Sequence, residues 1–184
     1  MNKNTDAFNA LERLKEGNKI YLNSATGVGD VSPSKRLDTS KNGQHPYAVI
    51  VSCSDSRVIP ESIFSAGIGE LFVIRAAGNT IDTTQLGSIE YAVEHLGCPL
   101  VLVLGHTKCG AVDAAINHSP TGFVKFITDE IRLAVGDEKD DIKACALNVQ
   151  RSVNRIKERL KTDELTIAGG IYNIENGKVE FLNY

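Results

Sequence analysis

Apolar and polar residues follow one another along this chain in two rhythms, and the change from one to the other marks out its elements. Ala7, Phe8, Leu11 and Leu14 fall at helical spacing with charges between them, which predicts an amphipathic helix over residues 6–22. Residues 23–46 lose that rhythm. They are rich in Ser, Gly, Thr, Asp and Asn, contain Pro33 and Pro46, and read as a long irregular connection. The apolar run from Tyr47 to Val51 predicts a buried strand over 47–52, followed by a short helical turn near Pro60 and a second strand over 71–75. Leu86, Ile89, Val93 and Leu96 form one stripe of a helix over 84–96, with Gly97 as its stop. Residues 99–105 are apolar at nearly every position, as expected of a strand covered on both sheet faces. A helix then begins close to Cys109 and runs to about Asn117, and residues 121–162 are largely helical, with Leu147, Val149, Val153, Ile156 and Leu160 on the apolar face. Two last strands, 165–174 and 178–182, are joined at Glu175-Asn176-Gly177 as a hairpin.

Strands alternating with helices predict an α/β fold: a mostly parallel central sheet with flanking helices and an antiparallel C-terminal edge strand. The chain's 184 residues suit one domain. Within it, residues 1–46 read as an N-terminal helix and arm, and residues 47–184 as the α/β body. Twenty basic against 23 acidic residues leave a charge of −3, which provides no electrostatic footprint for nucleic acid or an anionic membrane. Met1 to Asp6 lack the apolar core of a signal peptide, and no run reaches membrane-spanning length, so a cytoplasmic protein is expected. Cys53, Cys98, Cys109 and Cys145 are too few and too scattered for a disulfide scaffold; metal binding or burial explains them better.

The chemistry collects at two predicted strand ends. One strand runs into Ser52-Cys53-Ser54-Asp55-Ser56-Arg57, and another into Gly105-His106-Thr107-Lys108-Cys109-Gly110. In open parallel sheets, sites form at the carboxyl ends of strands where the strand order reverses. Cys53, His106 and Cys109 are the ligand types zinc takes in tetrahedral geometry, and three protein ligands leave a fourth position open for catalysis. Either loop alone has an ordinary explanation in chance and burial; the two together favour a single metal site. Cys98 and Cys145 read as core residues, and His45, His95 and His118 as surface or interface residues. Asp55 and Arg57, two apart, can form an ion pair that merely pins the loop, or one in which Arg57 holds Asp55 beside the metal's fourth position. A carboxylate can also ligate zinc, so Asp55 has a closed alternative as the fourth ligand.

These motifs resemble the signature loops of the β-class carbonic anhydrases. Arg75-Ala76-Ala77-Gly78-Asn79, Ser88-Ile89-Glu90-Tyr91-Ala92-Val93, Gly170-Ile171-Tyr172 and Gly177-Lys178-Val179 resemble further segments of that family, in order, over residues 44 to 182. The resemblance implies one Zn2+ per chain held by Cys53, His106 and Cys109, with Asp55 and Arg57 as the catalytic dyad. It also implies that Gln44, Phe72, Tyr91 and Gly110 serve substrate binding, the two aromatics reaching the pocket from a partner subunit. The implied reaction is reversible hydration of carbon dioxide to bicarbonate and a proton by zinc-bound hydroxide. The implied assembly is a homodimer or higher homo-oligomer embraced by N-terminal helices. Two other readings stay open: hydrolysis of a related linear molecule such as carbon disulfide, and a non-catalytic domain with a closed structural zinc.

The chain also departs from the family's pattern. Ile50 stands where bicarbonate-regulated members carry tryptophan, and the chain has no Trp, so a regulatory bicarbonate pocket of that kind is not expected. Ala111 replaces a further glycine, and the stretch from Arg155 to Leu165 is shortened. No histidine is placed by the sequence as a proton shuttle.

Overall fold

The computed structural model describes residues 3–24, 29–160 and 165–182. In chain order the elements are α1 (Lys3–Asn23), α2 (Pro33–Asn42), β1 (Ala48–Ser52), α3 (Pro60–Ile63), β2 (Leu71–Arg75), α4 (Thr83–Glu94), β3 (Leu100–His106), α5 (Gly110–Asn117), α6 (Phe123–Val135), α7 (Asp141–Leu160), β4 (Thr166–Tyr172) and β5 (Val179–Leu182), with a 3-10 turn at Ala77–Asn79. One five-stranded sheet runs in the order β2-β1-β3-β4-β5, parallel except for the β4–β5 pair. The strand order therefore reverses between β1 and β3, the two strands whose carboxyl ends carry Cys53 and His106.

Period-two alternation sends side chains of each buried strand to opposite faces. Val49, Val51, Val101 and Val103 join the core beneath α4, α5, α6 and α7. Ala48, Ile50, Leu100, Leu102 and Leu104 join the other, completed by Ala10 and Leu14 of α1 and Ile63 of α3. α1 is thus docked on its own chain's sheet rather than standing free of it. Asn18 pins it there, donating to the carbonyls of Ile63 (3.2 Å) and Gly177 (3.0 Å) and accepting the Val179 N–H (2.9 Å).

Three expectations need correction. Residues 23–46 are not wholly irregular, because α2 occupies Pro33–Asn42. Ser32 caps it by accepting the Lys35 N–H at 3.2 Å, Pro33 opens it, and Gly43 at φ 80° ends it. None of its residues is buried, so no apolar stripe announced it. Leu147 is 40% exposed; the buried face of α7 runs instead through Ala144, Cys145, Asn148, Val149, Ser152, Val153 and Ile156. The β4–β5 connection takes in 173–178, wider than the Glu175-Asn176-Gly177 turn. Residues 161–164, within the shortened stretch, lie outside the described residues.

Candidate metal centre

The two ligand loops leave adjacent parallel strands, β1 and β3, and their registers place them side by side. Cys53 follows β1 directly. His106 is the last residue of β3, fully buried, and Cys109 caps α5. Thr107 and Lys108 close the short turn between them, with Lys108 at φ 54°, a left-handed conformation that non-glycine residues enter only when their surroundings hold them there. That hold comes from Asp141 Oδ2, which accepts the Lys108 N–H at 2.8 Å, and from Lys108 Nζ, which pairs with Glu175.

The ligand atoms of Cys53, His106 and Cys109 lie within 4.8 Å of one another, and all three residues are buried. A tetrahedral zinc with bonds of about 2.0–2.3 Å sets its ligands about 3.5–3.8 Å apart, so closing on an ion requires only a small contraction. The sharper test is His106. Its Nδ1 lies 3.0 Å from the Thr107 carbonyl, which can only accept, so Nδ1 carries the hydrogen and Nε2 is bare. Nε2 is buried without a hydrogen-bond partner. A bare, buried lone pair facing two thiols suits a soft divalent cation, and the donor set fits zinc.

Cys53 is the more acidic of the two thiols. A hydrogen bond from the Cys109 thiol, with the N–H groups of Asp55 (3.4 Å) and Gly78 (3.2 Å) beside it, holds its pKa well below the usual thiol range against the opposing effect of burial. Cys109, donating to Cys53 within buried surroundings, is pushed far up. The pair therefore shares a proton, which a divalent cation displaces on binding. Cys145, expected as plain core, lies against the Cys109 N–H. Burial pushes its thiol up to about 12, so it stays neutral and outside the ligand set.

Asp55 is paired with Arg57. The guanidinium forks onto the carboxylate, Nε to Oδ1 at 2.9 Å and Nη2 to Oδ2 at 2.7 Å, and reaches the Lys108 carbonyl at 3.1 Å. The Arg57 guanidinium holds the Asp55 carboxyl far below the usual carboxylate range. Asp55 Oδ2 is still only 3.9 Å from His106 Nε2, within reach of whatever occupies the metal's open side.

The remaining expected site residues are distributed differently. Gly110 opens α5 beside Cys109, and a Cβ there would meet nothing within 4 Å. Gln44 is exposed near Gly69, before the amino end of β1. Phe72 is in register with Val49, and its ring lies 6.1 Å from that of Tyr91 on α4. β1 separates Gln44 from Cys53 by about 13 Å or more at 3.3 Å per residue, so one chain does not bring Gln44 to its own metal ligands. Sequence reasoning missed the support of the Cys53 loop. Arg75 donates from Nε to the Cys53 carbonyl at 3.0 Å and from Nη2 to the Asp55 carbonyl at 2.7 Å. Its segment was recognisable, but no spacing ties residue 75 to residue 53.

The sequence pattern of the family described as carbonic anhydrase matches residues 48–179. Carbonic anhydrase 2 of Mycobacterium tuberculosis is 37% identical, over 95% of this chain and 92% of that protein. Among solved structures, the β-carbonic anhydrase CafA of Aspergillus fumigatus superposes with a TM-score of 0.73 at 28% identity, covering 82% of this chain and 81% of that one. The tetrameric β-carbonic anhydrases of Sordaria macrospora give a TM-score of 0.66 at 25% identity, over 82% of this chain and 92% of that one. None of these favours carbon disulfide chemistry or a purely structural metal. The chain therefore belongs to the β-class carbonic anhydrases, enzymes that reversibly hydrate carbon dioxide to bicarbonate and a proton.

Proposed function

We propose that Cys53, His106 and Cys109 hold one zinc ion per chain, that Asp55 and Arg57 are the catalytic dyad, and that Gln44, Phe72, Tyr91 and Gly110 line the substrate pocket of a homodimer. The observation that carries the reading is the bare, buried Nε2 of His106 facing the two thiols. When bound, zinc supplies a Lewis acid that brings the pKa of a coordinated water to about 7, so that a nucleophile exists at neutral pH.

The chain's own residues do the rest. Asp55, ionised and locked by the Arg57 fork, presents an acceptor oxygen on the open side of the ligand set. With the metal bound, it would accept a hydrogen bond from a hydroxyl nucleophile and so orient that group's lone pair toward the substrate carbon. Accepting only, it favours a nucleophile that still has a hydrogen to donate. The open space at Gly110 admits a small linear molecule.

The site is completed across a two-fold axis. Gln44 and Phe72 lie a strand's length from their own chain's Cys53, Gln44 is exposed, Phe72 is half-buried, and Tyr91 beside it is 47% exposed. Residues 1–46 form the embracing arm. α1 docks by one face and leaves Phe8, Ile20 and Leu22 exposed on others, and Leu37 of α2 is exposed as well. The Sordaria enzymes, described as tetrameric, support assembly beyond a monomer. Four free, buried cysteines support a cytoplasmic location; among the described residues no helix is long and apolar enough to cross a membrane.

Stopped-flow hydration of carbon dioxide on metal-quantified protein tests the reading. The expected result is about one zinc per chain and a rate that rises through neutral pH and is abolished by a chelator. Stoichiometric zinc with no hydration at any pH would establish a closed structural site instead.

A further inference from the structure

The buried face of α7 is apolar except along one line. Asp141, Cys145, Asn148 and Ser152 follow at intervals of four, three and four residues, which places them in a single row along the helix. Each member of the row meets backbone belonging to the metal centre. Asp141 accepts the Lys108 N–H at 2.8 Å, and the Cys145 thiol lies against the N–H of Cys109. Asn148 Nδ2 donates to the Gly78 carbonyl at 2.7 Å, and Ser152 Oγ to the Asn79 carbonyl at 3.2 Å. The row thus braces the second ligand loop at one end and the Ala77–Asn79 turn at the other.

That turn touches the metal centre through Gly78, whose N–H points at Cys53 Sγ from 3.2 Å. Gly78 sits at φ 64°, and a Cβ there would lie 2.7 Å from Ile131 Cδ1, so the position requires glycine. Glycine is also the residue least able to hold its own peptide planes. Their orientation has to be imposed from outside, and Asn148, 3% exposed, is the side chain that grips the Gly78 carbonyl.

We propose that Asn148 is a positioning residue for the metal centre: by holding the Gly78 carbonyl it fixes the N–H that Gly78 directs at the Cys53 sulfur, and so governs how firmly Cys53 binds the metal. Outer-shell partners of this kind typically change metal affinity by about 10–100-fold when removed. The inference rests on Cys53 being a zinc ligand, and the experiment separates the two claims.

Zinc affinity is measured by competition with a chromophoric chelator, and the sulfur-to-metal charge-transfer band is recorded after cobalt(II) substitution. The proteins are wild type, Cys53→Ser, Asn148→Leu, Asn148→Ala and Ile156→Ala. Cys53→Ser is expected to lose the cobalt band from that sulfur and most of its zinc; if it keeps both, the ligand assignment itself fails. Asn148→Leu keeps the volume and removes the donor. It is expected to lose about 10–100-fold in zinc affinity and to move the cobalt band to longer wavelength, because the sulfur loses a hydrogen-bond donor. Ile156→Ala, one turn beyond Ser152 and packed in the apolar core, is expected to lower stability while leaving the band and the affinity of folded protein unchanged. A folded Asn148→Leu with wild-type affinity and band overturns the proposal; Asn148→Ala is read in the same way. Should neither variant fold, the wild-type Asn148 side-chain amide decides by NMR: slow solvent exchange and a shift on zinc removal are expected, and exchange at the rate of a free amide overturns it.

Discussion

Asp55 has two partners within reach, the Arg57 guanidinium at 2.9 and 2.7 Å and the metal position, whose edge His106 Nε2 marks 3.9 Å away. A carboxylate released from the first is free to take the second, and a ligating carboxylate closes the site. Arg57→Ala is therefore expected to keep about one zinc per chain while hydration falls on the order of 100-fold or more, the usual weight of a lost preorganising charge. Arg57→Lys should recover little, because an ammonium cannot reproduce the fork. Metal analysis beside stopped-flow rates checks both, and wild-type rates in Arg57→Ala would remove the dyad from the mechanism. At this scale the sequence was informative where residue type alone carries the chemistry. Cys53, His106, Cys109, Asp55 and Arg57 stood out as candidates because soft ligands and a carboxylate–guanidinium pair collect at two neighbouring strand ends, although either loop alone has an ordinary structural explanation. Arg75 and Asn148 did not, because they act on backbone carbonyls far away in the chain, and a hydrogen bond to backbone leaves no pattern in either partner's identity.

Elements whose apolar spacing does the folding could be read in the same way: the buried strands β1 and β3, the half-buried edge strand β2, and helix α4. α2 was missed because it buries nothing and is held by its caps, so its signal lay in Ser32, Pro33 and Gly43 rather than in a stripe. The polar row of α7 was missed for the opposite reason, since polar residues inside an apolar face look like interruptions until the groups they meet are known. α1 shows how much one such residue carries. Asn18 is buried and joins the helix to the α3 end and to the terminal hairpin through three backbone groups at 2.9–3.2 Å. Asn18→Ala leaves those groups without their partner, at about 1–3 kcal/mol for each that water cannot reach. The expected loss is about 2–4 kcal/mol in urea unfolding, seen as a lower midpoint with an unchanged slope. A loss below about 0.5 kcal/mol, the range of ordinary surface substitutions, would mean that α1 is held by its other contacts, Ala10 and Leu14 in the core, the Arg13–Glu70 pair and the Tyr21–Tyr172 hydrogen bond.

For the whole molecule, the decisive geometry is the separation between two groups of residues. The proposed metal ligands and dyad lie at the carboxyl ends of the strands, whereas Gln44 precedes the amino end of β1 and Phe72 sits one residue into β2. A single chain cannot fold these groups together, but a two-fold partner can offer the second to the first, and an isologous interface then completes two sites at once. This arrangement makes a prediction that no single-chain site can meet. Cys53→Ser removes a metal ligand but leaves its chain able to donate Gln44. Gln44→Ala removes the donated residue but leaves its chain able to hold metal. Each homodimer is expected to be nearly inactive. Unfolded and refolded together in equal amounts, half of the dimers pair one chain of each kind, and each of these has one complete site. Hydration should then recover to roughly a quarter of the wild-type rate per chain, with about one zinc in each mixed dimer. Mixing without refolding should restore activity only as fast as subunits exchange, which separates complementation from simple addition. If the refolded mixture is no more active than the sum of its parts, Gln44 serves the site of its own chain or none at all, and the pocket must be built from the residues around Gly110.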